Sequence, residues 1–173
     1  PVPAPARGEV LLRMRAPALN AGDVRLMWGD PLVVRPVFGM RGPRNAVRGM
    51  DAAGTVVAVG EDVTSVDIGD EVAVELKGGG GLAEYAVAPA AGVVGRPRDV
   101  APEIAACLPL AAGTAQQALD LAGVEGGQRV LVIGASGGVG TFIVQLATLR
   151  GAEVWATCGE AARTLVSELG AVR

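Results

Sequence analysis

The chain has 173 residues, half of them apolar, with 26 Gly, 11 Pro and few aromatics, and its 15 basic and 18 acidic residues leave it at −3 near neutral pH. That composition fits a globular protein of one or two domains and argues against a basic nucleic-acid-binding surface. It has no histidine, and its two cysteines, Cys107 and Cys158, are too few for a disulfide framework, so a reducing compartment is the default.

After a Pro/Ala lead-in at positions 1–5, Glu9 to Arg15 alternates Val10, Leu12 and Met14 with Leu11, Arg13 and Arg15. This pattern predicts a half-buried strand. A polar turn, Ala18 to Asp23, leads into a short helix at Val24 to Trp28. Arg35, Arg41, Arg44 and Arg48 follow among Pro and Gly without periodicity, which reads as a solvated irregular loop or a basic lid over phosphates. From Gly49 to Val74, β-branched runs at 55–59 and 71–74 are punctuated by turns at Gly60-Glu61-Asp62 and Gly69-Asp70. A four-glycine loop, Lys77 to Gly81, precedes a strand at Leu82 to Ala88. The first hundred residues therefore predict a small all-β barrel or sandwich.

Past Pro102 the composition becomes Ala- and Leu-rich, predicting helices at Glu103 to Leu110 and Thr114 to Ala122, broken by Pro109 and Ala111-Ala112-Gly113. Cys107 reads as a small core residue of the first. Val130 to Ile133 is a short apolar run, as expected of a parallel strand covered on both faces. The turn Gly134-Ala135-Ser136-Gly137-Gly138-Val139-Gly140 comes next, then a helix whose apolar stripe is Val139, Phe142, Ile143, Leu146 and Leu149. Gly151 reads as its C-cap, Glu153 to Cys158 as a second parallel strand and Ala161 to Leu169 as a second helix.

Strand, glycine turn and helix in succession open a dinucleotide-binding βαβ unit. Glycines let a pyrophosphate approach the backbone, and the N–H groups at the helix start face the phosphates. Against G-x-G-x-x-G the match is Ala135-x-Gly137-x-x-Gly140, with Ala at the first glycine and an extra Gly134. The bland alternative, a glycine-rich turn in any α/β protein, is weakened by the strand and helix context. An acidic residue about 20 positions past the turn would grip a ribose 2′-OH. Here the strand tip is the neutral Thr157-Cys158-Gly159, with Glu160 opposing and Arg163 favouring a 2′-phosphate.

Together the motifs Asn20-x-x-Asp23, Gly49-x-Asp51-x-x-Gly54-x-Val56, Val59-Gly60, Gly69-Asp70-x-Val72, the 81–86 segment, Ala112-Gly113-Thr114-Ala115, Gly127-x-x-Val130-Leu131, the glycine turn and Leu169-Gly170-Ala171 carry a resemblance. The chain resembles the zinc-free, quinone-oxidoreductase-like branch of the medium-chain dehydrogenase/reductase superfamily. The resemblance implies an α/β protein: a GroES-like β barrel over 1–105, then a nicotinamide-binding Rossmann domain, incomplete here, over 106–173, with the active site in the cleft between them. It places Asn20 and Asp23 near the nicotinamide as catalytic residues and Thr114 on the cofactor. Ala135, Ser136, Gly137, Gly138, Val139 and Gly140 meet the pyrophosphate, and Thr157, Cys158 and Arg163 lie near the ribose. A basic residue often found in that family near position 161 is Ala161 here. The residues alone also allow Asn20 and Asp23 to form an Asx turn or N-cap. Thr114 could equally cap a helix, and Tyr85, a candidate proton donor beside solvent, reads more simply as a packed strand residue.

The implied activity is NADPH-dependent, zinc-independent hydride transfer to a quinone or other α,β-unsaturated carbonyl, NADH being the lesser cofactor. An enoyl reductase module of a larger synthase and a non-catalytic remnant acting as a binding piece are the alternatives. No metal site is expected, since zinc needs clustered Cys and His. Neither a nucleic-acid nor a membrane partner is expected. No window of about 18 apolar residues is free of Gly, Pro and charge, and no basic-then-apolar leader is present, so the expected location is cytoplasmic. The first residue is Pro, as in a trimmed or partial version of something longer. Only one half of a Rossmann sheet is visible, which predicts weak cofactor binding and no turnover by the chain alone. It also predicts a homo-oligomer, or association through the exposed sheet edge.

Overall fold

The computed structural model describes residues 2–42 and 45–173; of the residues singled out above, Pro1 and Arg44 lie outside that set. The chain forms two compact units, Pro1–Leu110 and Ala111–Arg173. The first is built on an antiparallel sheet of β1 (Glu9–Ala18), β2 (Asp51–Val59), β3 (Glu71–Glu75), β4 (Tyr85–Pro89) and β5 (Val93–Gly95), ordered β4-β1-β2-β3-β5. Val10, Leu12, Val56, Val72, Val74 and Ala88 fill its main core. The predicted alternation along β1 fails at Leu11, which is buried like its neighbours. There the pairing with β2 slips in register, as a bulge does when two residues oppose one.

This unit also carries helices, which the all-β expectation understated. α1 spans Ala21–Trp28, starting earlier than predicted because Asn20 caps it. The basic loop is not uniformly solvated: it includes a short turn of helix, α2 (Arg35–Phe38), and Arg48 within it is buried. α3 is one turn, Pro102–Ala105. Ala105 and Ala106 pack against Ala16 and Ala53 of the sheet, so Cys107 is left exposed, its Sγ 3.3 Å from the Glu103 carbonyl. The core role expected of Cys107 is taken by the two alanines before it.

The predicted helix break at Pro109 to Gly113 is also corrected. α4 runs unbroken over Pro109–Leu121. Proline suits the first helical position, where its missing N–H is not needed, and one interior glycine costs only about 1 kcal/mol.

In the second unit β6 (Arg129–Ile133) and β7 (Glu153–Thr157) pair in parallel, Val130 opposite Val154. α5 (Gly138–Leu149) and α6 (Arg163–Glu168) complete it. Leu119, Val132, Val144, Ala147, Val154 and Val166 form the core. The stripe expected on α5 holds in part: Ile143 and Leu146 pack against this core half-buried, but the fully buried residues are Gly140, Val144 and Ala147, and Leu149 is 82% exposed. Small side chains win the contact because they let the helix approach the strand closely. Nor is β6 covered on both faces. Val132 is buried, whereas Leu131 and Ile133 are 61% and 80% exposed, because the described helices pack on one face only. Beyond β7, the Val172 N–H donates to the Val154 carbonyl and the Ala156 N–H to that of Arg173. No helix among the described residues is long and apolar enough to cross a membrane.

Two strand leucines should therefore respond oppositely to truncation. Leu12→Ala, in a fully buried site, is expected to cost about 2–5 kcal/mol of unfolding free energy. Leu131→Ala should stay within about 0.5 kcal/mol. Urea denaturation of the two variants checks this, and an equal loss in both would show that the Leu131 face is covered.

Candidate cofactor and substrate sites

Asn20 precedes α1 in extended conformation, φ −107° and ψ 158°. Its backbone N–H donates to Asp23 Oδ2 at 3.0 Å, and the Gly49 N–H donates to Asp23 Oδ1 at 3.0 Å. Asp23 is 1% exposed, so both its carboxylate oxygens serve backbone donors, as in one arm of a capping box. The side-chain Nδ2 of Asn20 turns the other way and donates to Asp51 Oδ2 at 2.9 Å. Asp51, the first residue of β2, also accepts from the Leu110 N–H, at 3.1 and 3.2 Å to its two oxygens. It thereby caps the N-terminus of α4, where a negative charge is favoured. Burial holds the Asp51 carboxyl above its ordinary range, with the Glu75 and Asp23 charges adding to the effect; the hydrogen bonds from Asn20 and Leu110 oppose it.

Asp51 was visible in the sequence only as part of a motif. A carboxylate opening an Ala- and Val-rich strand is the signal that marks it as a buried acceptor.

In the second unit the turn after β6 is held to β7. The Ala135 N–H donates to the Thr157 carbonyl at 2.9 Å, and the Gly134 N–H to Thr157 Oγ1 at 3.2 Å. Gly134 has φ +76°, a conformation that disfavours a Cβ. At Gly140 a Cβ would lie 2.4 Å from the Gly134 carbonyl oxygen and 2.8 Å from Ala135 Cα. This is the close helix-to-strand approach that the last glycine of the fingerprint serves. Gly137, the N-cap of α5, has an ordinary φ of −77°, and no side chain caps the helix. The N–H groups of Gly138, Val139 and Gly140 thus remain for an outside acceptor. Ser136 is exposed, while Ala135 is fully buried. The turn therefore fits a pyrophosphate, with its last glycine required by packing and the N-cap glycine open.

At the end of β7 a cavity of about 410 Å³ is lined by Thr157, Cys158, Arg163, Ser167 and Arg173, among others. It brings together three residues singled out from sequence and adds Arg173, for which the spacing offered no signal. Arg173 reaches the cavity because the last residues lie against β7, where its guanidinium stacks 5.0 Å from the Trp155 ring. Thr157 is committed to the glycine turn. Thr114 lies inside α4 on an exposed position, so it is not that helix's cap, and no hydrogen bond joins it to the turn.

Residues 6–98 match the alcohol dehydrogenase GroES-like domain. The chain is 42% identical over 179 residues to a chloroplast envelope quinone oxidoreductase homolog of Arabidopsis thaliana, covering 99% of this chain and 53% of that protein. Among solved structures it resembles the CurK enoyl reductase, with a TM-score of 0.88, 33% identity, and 98% of this chain and 51% of that one covered. It also resembles mycobacterial Rv1454c complexed with NADPH, with a TM-score of 0.84, 32% identity, and 99% and 51% covered. The antiparallel sheet, the parallel pair and its glycine turn define the oxidoreductase class to which these proteins belong. The chain belongs to the alcohol dehydrogenase GroES-like family, within the medium-chain dehydrogenase/reductase superfamily. It spans about half the length of this Arabidopsis relative and of the similar quinone oxidoreductases of Triphysaria versicolor and Spinacia oleracea.

Two tests follow from this geometry. Gly140→Ala should lower the stability of the second unit by about 1–3 kcal/mol through overpacking against backbone, whereas Gly137→Ala, whose Cβ meets nothing closer than 3.4 Å, should leave the denaturation midpoint unchanged. The second test concerns Asp51. Because its folded-state proton affinity is raised, the folded chain binds more protons than the unfolded one just above the ordinary aspartate range. Stability from this group is then greatest at low pH and falls as pH rises through that interval. The stability gap between wild type and Asp51→Asn should narrow with rising pH, and a gap that widens would refute the assignment.

Proposed function

We propose that this protein acts as an NADPH-dependent oxidoreductase, with hydride passing from the nicotinamide C4 to a quinone or another α,β-unsaturated carbonyl without zinc. The observation that carries the reading is the uncapped N-terminus of α5 behind a glycine turn anchored to β7. Its free N–H groups would bind the pyrophosphate, and the positive end of the helix would favour its charge. Arg163 and Arg173 line the cavity at the strand tip and would attract a 2′-phosphate. Asn20, its side chain held by Asp51 and its backbone by Asp23, would orient the reacting ring, and Thr114 would add a contact to the cofactor. Hydride transfer asks mainly for positioning, which a rigid cap supplies. Zinc independence is supported by the absence of histidine from the sequence.

The likeness to the CurK enoyl reductase favours a second reading, in which the substrate is an enoyl group presented by a larger synthase. Association through the open edge of β6 and a cytoplasmic location complete the proposal, although the Arabidopsis relative is named for the chloroplast envelope.

Titrating NADPH and NADH against the protein, followed through the fluorescence of its two tryptophans, Trp28 and Trp155, tests the cofactor. NADPH is expected to bind the tighter of the two, and Gly137→Ala to weaken it by about tenfold or more by placing a methyl where the pyrophosphate approaches. Equal affinity for NADH would end the preference, and unchanged binding in the variant would remove the turn from the site.

A further inference from the structure

Arg48 is 8% exposed, yet no carboxylate among the described residues lies within 4 Å of it. Its Nη2 donates to the Asn45 carbonyl and approaches that of Gly78 at 3.5 Å, while its Nε has no partner. Arg96 shows the ordinary solution: its Nε is equally unpartnered, but its Nη2 pairs with Glu71 at 2.6 Å. A buried guanidinium without a counter-charge is costly, and an unsatisfied buried donor calls for an explanation.

The surrounding loop is built around this residue. The Gly80 and Leu82 N–H groups donate to the Arg48 carbonyl. At Gly79, with φ +92°, a Cβ would lie 2.5 Å from the Val47 carbonyl oxygen and 3.5 Å from Arg48 Nη2, so only glycine lets the loop close on the guanidinium. Asn45 ties the same loop from the other side, its Nδ2 donating to the Gly79 carbonyl at 3.2 Å. Beside Arg48 is a cavity of about 250 Å³ lined by Val37, Phe38, Asn45, Arg48, Lys77 and Gly78. Lys77 is exposed and makes no ion pair among the described residues.

We infer that this cavity binds a small organic carboxylate, with Arg48 and Lys77 supplying the counter-charge and Val37 and Phe38 packing on its apolar body. A guanidinium fork matches a carboxylate. The valine and phenylalanine walls would be wasted on inorganic phosphate. The inference is independent of the oxidoreductase reading, since all six residues belong to the first unit and the glycine turn that carries that reading belongs to the second.

Benzoate is the probe, with benzamide as its uncharged counterpart and inorganic phosphate as an anion lacking the apolar body. Calorimetry and amide NMR on the full chain should show saturable benzoate binding that shifts the Asn45, Arg48 and Gly78 resonances. Benzamide and phosphate should bind about tenfold more weakly or worse. Lys77→Gln should weaken benzoate about three- to fivefold, as loss of an exposed charge contact does, and a folded Arg48→Met should abolish binding. Should Arg48→Met fail to fold, Lys77→Gln decides. Benzoate and benzamide binding alike, phosphate binding as tightly as benzoate, shifts confined to other residues, or unchanged affinity in Lys77→Gln would each overturn the inference.

Discussion

The carboxylate of Asp51 is the constraint on which the rest of the first unit's polar architecture depends. It is buried at the start of β2, and a buried carboxylate is tolerable only when donors surround it. The donors come from two distant places in the chain: the amide of Asn20 ahead of α1 and the Leu110 N–H at the start of α4. One side chain thereby fixes where a strand begins, how a helix cap is oriented and which backbone group opens a second helix. Asp23 repeats the device on a smaller scale by joining the α1 cap to Gly49. Asn20 is held from both sides, so its position is set by packing and desolvation rather than by its own rotamer preference.

Small residues do the corresponding work among apolar contacts. Ala16, Ala53, Ala105 and Ala106 bring α3 onto the sheet, and Gly140 and Ala147 bring α5 onto β6. With so few aromatics in the chain, close approach of backbones replaces bulky interlocking. At the glycine turn this closeness has a chemical consequence: the helix N-terminus stands directly behind the turn, with its N–H groups unspent. At Arg48 the same closeness, through Gly79, encloses a charge.

Local signals were legible where one periodic or conformational rule acts alone. The β6–turn–α5 succession, the parallel β7 and the turn at Gly151 follow from apolar runs and from glycines with left-handed torsions. Thr157 and Arg163 could be located by counting along the βαβ unit, but not the bonds Thr157 makes. Periodicity finds Ile143 and Leu146 on the packed side of α5 but ranks large residues first, whereas the closest contact selects Gly140, Val144 and Ala147. Cys107 reads as a core residue because small apolar side chains in an Ala- and Leu-rich stretch tend to be buried, but which of the neighbouring small residues meets the sheet is set by the turn of α3, and it is Ala105 and Ala106. The break proposed at Pro109 ignored that proline opens a helix as readily as it ends one, and the donor that settles the matter, Leu110 to Asp51, spans 59 residues of sequence.

The sequence by itself determined the succession of β6, glycine turn, α5 and β7 and the family, because each rests on spacings of a few residues read against fixed backbone periods. Only the tertiary structure decided that Asp51 joins Asn20 to α4, that Arg173 enters the cavity at the tip of β7, that Leu131 and Ile133 face outward, and that Arg48 is buried without a carboxylate. These depend on contacts between residues far apart in the chain and on which faces are removed from water. No local pattern encodes such a balance of burial and pairing, since it exists only once distant segments have met.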